Sequence, residues 1–247
     1  MYTDLQVWLD HFDYHSSRRC VMPEGKRLGL RHDERLLIAG SLLTFQRWSL
    51  IEHEPLMRAA TIHAGGDVNA HLPKIVALLI AEKQHHTALL DDFAHQHGLT
   101  TAHPLRRNRL LQSDPWEDFE SQLATLATAD LIGKVYLRAL EAATGCRQLR
   151  GLCRMLVADQ LAHVGFESDV LRSLHATRPQ LIRGARTLAF RAHFTAASLS
   201  AWIAHRPVLE TAGHCVSTFI RACSAQYSFY LEPPMKTIAS IVSPPLQ

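Results

Sequence analysis

The chain has 247 residues, of which 47% are hydrophobic, and its 26 lysines and arginines against 23 aspartates and glutamates give a formal net charge of +3. This length supports one sizeable core, and so small a charge excess, without dense basic runs among aromatic residues, argues against a nucleic-acid partner. No segment approaches about 18 uninterrupted apolar residues, and the N-terminal MYTDLQVWLDHFDYH has acids where a signal peptide needs a basic start. We therefore expect a soluble, cytoplasmic protein without a membrane partner.

Proline and glycine separate long segments whose apolar residues recur with a helical period, whereas strand-like alternation is nearly absent. This pattern predicts an all-α protein. A loop over 99–113 is expected to cross the bundle between the second and third helices. The predicted helices, in chain order, are A (33–64), B (67–98), C (114–144) and D (147–175), followed by two more over roughly 178–204 and 207–229.

Two prolines in these segments predict local features of the helices. Pro55 lies inside helix A and lacks the N–H that would bond the Ile51 carbonyl, so a kink or a simple bend is predicted there. Pro207 is expected to begin the last helix, because proline is favoured in a first helical turn.

Four predicted helices each place one metal-capable side chain in an otherwise apolar stripe. His86 in helix B, for example, is spaced seven residues from both Leu79 and Phe93. Burying an unpaired carboxylate costs several kcal/mol, so acids at such positions need cations or donors close by. A polar site shared by the four helices would supply them. Its predicted members are Glu52, His86, Asp130 and His163.

Lys83 is predicted to point into the same site. Position 83 falls within the apolar arc of helix B, so its ammonium needs a carboxylate, and Glu52 and Asp130 are the nearest inward acids. The alternative is that the lysine stem runs along the helix edge to solvent. Glu82 and Asp159, each four residues before a histidine, are predicted to orient the imidazoles or to replace a missing ligand.

Helix B contains a second candidate for a metal-binding pair. Glu82 and His85 are themselves spaced as Glu-x-x-His, the pair that bundle metal sites use. However, His85 lies about 100° around the helix from the apolar stripe. His86, which lies on that stripe, is therefore favoured.

Four segments resemble motifs of a branch of small ferritin-like di-iron carboxylate proteins. These segments are FQRWSLIEH (45–53), AEKQHH (81–86), DLIGKVYLRAL (130–140) and DQLAHVGFE (159–167). The resemblance extends from about His11 to Phe219. It implies a ferritin-like four-helix bundle with two additional C-terminal helices, in which the four polar residues named above bind metal. It also places Lys83 and Gln160 where the family has metal-binding glutamates.

The expected domain organisation agrees with this resemblance. Two short-looped hairpins, A–B and C–D, joined by one long crossover are typical of ferritin-like bundles. We expect a single ferritin-like helical domain over 33–229. An extension over 1–32 would pack on the bundle, and a tail over 230–247 would follow it.

The charge balance limits the metal that such a site can hold. A typical family site balances two divalent ions with four carboxylates, whereas here Glu52 and Asp130 are opposed by the compact positive charge of Lys83. The resemblance implies one or two iron or manganese ions, and the charge count also allows none.

Three functions stay open at this point. The first is an oxidoreductase or oxygenase-type protein with a one-metal or altered site that acts on a small-molecule substrate in the bundle core. The second is a metal-free enzyme or binding protein in which Lys83 and Gln160 act with the acids and histidines, since lysine and histidine with shifted pKa values transfer protons. The third is a pseudoenzyme that serves as a partner subunit. A homodimer is compatible with all three.

Overall fold

A computed structural model describes residues 5–23, 29–49, 53–65, 70–100 and 118–232. Each regular element in these ranges is an α-helix, which confirms the all-α prediction. No helix in the described ranges is long and apolar enough to cross a membrane. The helices are α1 (Leu5–Ser16), α2 (His32–Ser49), α3 (His53–His63), α4 (Leu72–Gln96), α5 (Phe119–Ala143), α6 (Arg147–Ala176), α7 (Gln180–Thr211) and α8 (Val216–Leu231).

The helices form a bundle in which α5 and α6 make the most extensive pair. Their short connection makes them antiparallel neighbours. Asp118 begins α5 by accepting a hydrogen bond from the Ser121 backbone N–H, as expected for an N-cap. Helix α4 contacts α1, α2, α3 and α6, while α7 and α8 pack against α5 and against each other. Helices α4, α5 and α6 thus share the interior of the described bundle, and α7 and α8 pack on one side of α5.

Predicted helix A is described in two parts. Helix α2 ends at Ser49 and α3 begins at His53, and residues 50–52 lie outside the described ranges. Pro55 lies near the described start of α3. The predicted kink or bend involves the Ile51 carbonyl, which lies outside the described ranges, so it stays a prediction.

The C-terminal boundary also differs from the prediction. Pro207 lies within α7 and does not begin the last helix, which starts at Val216. Helix α7 ends at Thr211, and Gly213 follows with a φ of 85°, a conformation that is open to glycine and unfavourable for other residues. Pro207 leaves the carbonyl of Ile203 without its helical donor, but Ile203 is 62% exposed, so water can bond that oxygen.

Helix α4 ends where its sequence predicted. Gly98 has a φ of 59°, and the Leu99 N–H bonds the Ala94 carbonyl, which together close the helix. The predicted crossing loop over 99–113 falls largely on residues 101–117, which lie outside the described ranges.

Two apolar layers enclose a polar layer in the bundle core. In one layer, Leu79 of α4 packs with Leu123 of α5 and Phe166 of α6. In the other, Leu90 of α4 packs with Leu140 of α5. Each fully buried leucine or phenylalanine stabilises the fold by roughly 1.5–3 kcal/mol, so the two layers hold the intervening helical turns at fixed positions. The polar side chains in those turns include Lys83, Asp130, Gln160 and His163.

Candidate functional site

Lys83 of α4 and Asp130 of α5 form a buried ion pair in the polar layer. The Lys83 Nζ donates a hydrogen bond to Oδ2 of Asp130. Lys83 is 9% exposed and Asp130 is 5% exposed, so neither charge reaches bulk water. The predicted pairing of Lys83 with an inward acid is confirmed, and the alternative in which the lysine reaches solvent is wrong.

Glu167 of α6 is a second carboxyl group beside this pair. It is completely buried, and burial raises the pKa of its carboxyl well above the ordinary value of 4.5. The negative charge of Asp130 raises this pKa further, and the positive charge of Lys83 opposes the increase only in part. Burial therefore favours the protonated, neutral form of Glu167 beside the Lys83–Asp130 pair.

Sequence reasoning missed Glu167, although the residue lies within a segment that carried the family resemblance. It is four positions after His163 and therefore shares its helix face. Gln160, His163 and Glu167 recur every three or four residues, which is the signal that identifies one polar stripe on α6.

Two histidines and two carboxylates form crossed pairs between α4 and α6. The Nε2 atom of His86 lies 2.9 Å from Oδ2 of Asp159, within hydrogen-bond distance. The Nε2 atom of His163 lies 3.2 Å from Oε2 of Glu82. The two imidazole rings are stacked with centroids 5.6 Å apart. Each acid therefore contacts the imidazole of the opposite helix, and each histidine ring has a carboxylate that restricts its orientation.

The charge states of the His163–Glu82 pair follow from burial. Complete burial lowers the pKa of His163 by disfavouring the imidazolium, and the contact with Glu82 opposes this decrease only in part. Burial by itself raises the pKa of Glu82, but its contact with His163 and the charge of His86 lower it to about 2. Burial therefore favours a neutral His163 beside an ionised Glu82. Both ring nitrogens of His163 are buried and make no well-aligned hydrogen bond with the described residues, so the contact with Glu82 is a close approach of 3.2 Å.

His85, the alternative partner of Glu82, lies outside this arrangement. Its Nε2 atom bonds the backbone oxygen of Cys20 at 2.7 Å. The register through His86 is therefore the one that reaches the polar layer.

A second polar group borders the layer and was not expected from the sequence. Ser41 Oγ lies 2.9 Å from Tyr136 Oη and 2.9 Å from His205 Nδ1. These residues come from α2, α5 and α7, and burial lowers the pKa of His205 to about 3 and raises that of Tyr136. The imidazole is therefore neutral and the phenol keeps its proton.

The tautomer of His205 depends on the direction of these two hydrogen bonds, since either hydroxyl can donate between Tyr136 and Ser41. If the Tyr136 phenol donates to Ser41 Oγ, the Ser41 hydroxyl donates to His205 Nδ1, and the neutral imidazole carries its proton at Nε2. In either tautomer, the Nε2 atom of His205 is buried and has no hydrogen-bond partner among the described residues.

A cavity of about 60 Å³ connects these groups. A single water needs roughly 10–15 Å³, so the cavity holds several waters or a small ligand. Trp48, 6% exposed, forms part of its wall without filling it. The side-chain oxygen of Gln160 is also buried without a described partner. Buried polar atoms require partners, so these groups indicate bound water or ligand. Polar side chains lining the cavity are Ser49, Lys83, His86, Thr87, Asp130, Tyr136, Gln160, His163 and His205.

The residues present do not fit a two-iron centre. Lys83 and Gln160 stand at two positions where carboxylate ligands are expected, and the Lys83 ammonium bonds the Asp130 carboxylate directly. The two predicted histidine ligands have the carboxylate contacts given above. Glu52 lies outside the described ranges, so the four-residue metal set stays a prediction.

No protein-family model, curated protein or solved structure matches this chain.

Proposed function

We propose that the protein binds a small molecule with a carbonyl or carboxylate oxygen in the core cavity and performs acid–base chemistry on it. The observation that carries this proposal is the buried, unpartnered Nε2 atom of His205, a residue of the wall of a cavity that is also lined by Lys83 and His163. We infer that this atom carries the proton of the neutral imidazole, with Tyr136 donating to Ser41 and Ser41 donating to Nδ1. A fixed donor in a site with little water is suited to an oxygen that gains negative charge during a reaction.

His163 is the proton acceptor in this proposal. Its Nδ1 has no hydrogen-bond partner in the described structure, and the neutral ring has one free lone pair, which we assign to Nδ1 because Nε2 lies beside the Glu82 carboxylate. Glu82, next to Nε2, would stabilise the imidazolium that forms when His163 takes a proton. A base oriented by a carboxylate in this way is a recurring arrangement in acid–base catalysis.

Lys83 and Asp130 supply the electrostatic environment. Asp130 keeps the ammonium in place, and a protonated Glu167 adds no charge to the pair. The ammonium therefore offers its remaining protons to the cavity, where an anionic or polarised ligand oxygen would accept them.

The finer fold assignment belongs to the same proposal. We infer a ferritin-like four-helix bundle with two additional C-terminal helices, supported by the short α5–α6 connection and by the position of the polar layer between α4, α5 and α6. The oxidoreductase chemistry that the resemblance implies requires carboxylate ligands. The ammonium of Lys83 opposes that chemistry, so the acid–base function is favoured.

Ligand-observed NMR with acetate, pyruvate and acetone as separate probes tests the binding proposal. We expect saturation transfer to at least one probe in the wild-type protein and at least a tenfold weaker dissociation constant in His205→Gln. His95→Gln, at an exposed position on α4, is the matched control and should bind as the wild type does. Absence of binding to all three probes by the folded wild-type protein would overturn the proposal. Equal probe binding by folded His205→Gln would show that His205 does not donate a hydrogen bond to the ligand.

A further inference from the structure

Three side chains of different chemical type meet beside the polar layer without taking part in the proposed reaction. Cys20 lies in the segment that follows α1, His86 in α4 and Asp159 in α6. One ligand atom from each residue lies within 4.8 Å of the other two. Cys20 is half-buried, and its backbone oxygen is held by the His85 side chain of α4. The thiol is thus positioned by a contact separate from the cluster itself.

The separations are near those around a tetrahedral ion, since the His86–Asp159 distance need only lengthen slightly and no separation exceeds 4.8 Å. Zinc binds sulfur at about 2.3 Å, and nitrogen and oxygen at about 2.0–2.2 Å, which places tetrahedral ligand atoms roughly 3.3–3.7 Å apart. The Nε2 atom of His86 and Oδ2 of Asp159 are 2.9 Å apart, close to this range. The thiolate and imidazole select a borderline-soft ion, and the thiolate and carboxylate charges together balance a divalent cation.

A fourth ligand has room at the same place. A small cavity of about 50 Å³ is lined by Cys20 and Asp159, and also by Glu82 and His15. A water molecule there, or the Glu82 carboxylate, can complete four-coordination. Neither Lys83 nor Asp130 lines this cavity, and Glu82 is the residue of its lining that the proposed acid–base site also uses.

We propose that Cys20, His86 and Asp159 bind one zinc-type divalent cation that fastens the segment after α1 to the bundle. Binding would release the proton of the Cys20 thiol into solution, while the single ring proton of a neutral His86 would lie on Nδ1 when Nε2 faces the ion. The three ligands come from three different elements, so the ion would resist separation of this segment from α4 and α6.

Cobalt substitution tests the ligand set. Protein stripped with a chelator is titrated with Co²⁺, and we expect one equivalent to produce thiolate-to-cobalt charge-transfer absorption together with the visible bands of a tetrahedral ion. Cys20→Ser should remove the charge-transfer absorption and weaken zinc binding at least tenfold. Cys215→Ser, at the exposed cysteine before α8, is the matched control and should leave both unchanged.

Alkylation of the wild-type protein provides a measurement that does not depend on variant folding. We expect one equivalent of zinc to slow modification of Cys20 at least tenfold and to leave Cys215 unaffected, as read by peptide mass spectrometry. Folded wild-type protein that binds no zinc or cobalt would overturn this proposal. Metal bound with full affinity by Cys20→Ser, or without protection of Cys20, would also overturn it. None of these outcomes bears on probe binding in the core cavity.

Discussion

The ammonium of Lys83 bonds the carboxylate of Asp130 at the centre of the bundle, 47 residues away in the sequence. In the family that the chain resembles, position 83 would hold a metal-binding glutamate. A positive charge on the lysine therefore stands where a metal ligand is expected, and it neutralises one of the acids that remain. The electrostatics of the core are thereby balanced by protein groups, which is why acid–base chemistry is the function that we propose.

Replacing Lys83 by methionine should destabilise the protein by about 3 to 5 kcal/mol at neutral pH. The variant leaves Asp130 buried without a cation, and this cost exceeds that of the lost hydrogen bond itself. Urea unfolding at pH 7 measures the change. Lys74→Met on the same helix is the control, because Lys74 is exposed and its ion pair spans 3.8 Å, so its effect should stay within about 0.5 kcal/mol. Equal stability of the Lys83 variant and the wild type would contradict the buried-pair interpretation.

Replacing Glu167 by glutamine should increase stability relative to the wild type as the pH rises. The folded-state pKa of Glu167 is raised above the ordinary value of 4.5, so above that value the unfolded chain loses this proton first and the wild type loses stability with rising pH. Glutamine does not titrate and removes this contribution. Unfolding free energies from pH 5 to 9 test the difference. Glu210→Gln, at an exposed helix position, should show no such trend. A constant difference across this range would show that Glu167 is ionised in the folded protein.

His205 should remain neutral, with its proton on Nε2, throughout the stable pH range. Burial lowers its folded-state pKa from 6.5 to about 3, so stability is lost as the pH falls from 6.5 toward 3, because the unfolded chain takes up the proton. Nitrogen-15 NMR of the histidine side chains distinguishes the two tautomers. His205→Phe should reduce the loss of stability over this pH interval. Observation of an Nδ1–H tautomer would contradict the hydrogen-bond direction from Tyr136 through Ser41.

The double substitution Lys83→Glu, Gln160→Glu should raise iron or manganese occupancy well above that of the wild type. It removes the cation that binds Asp130 and adds two carboxylates where the family resemblance places metal ligands. Metal content after loading, measured by elemental mass spectrometry on folded protein, tests this expectation. The single substitution Gln160→Glu is the control and should bind less metal, because Lys83 remains. Unchanged occupancy in the folded double variant would show that the surrounding side chains do not permit a metal centre.

The sequence by itself determined the helical architecture and the inward direction of several polar residues. A helical period depends only on neighbouring positions, so the limits of α4 and α6 were predicted to within a few residues. The same period placed Lys83 on the core face, and the cost of burying its charge predicted an acid as partner. The position of Pro207 was less informative, because proline is accepted both in the first turn of a helix and within a helix at a residue whose freed carbonyl is exposed.

Only the tertiary structure decided which polar groups meet. Ser41 and His205 are 164 residues apart, and no local pattern links them. Glu167 belonged to a detectable stripe, but its protonation depends on complete burial beside Asp130. Cys20 lies in a segment outside the helices and approaches His86 because α1 packs against α4. Helix periodicity specifies the face on which a side chain lies, whereas its partner and charge state depend on which helices pack together and how completely they exclude water.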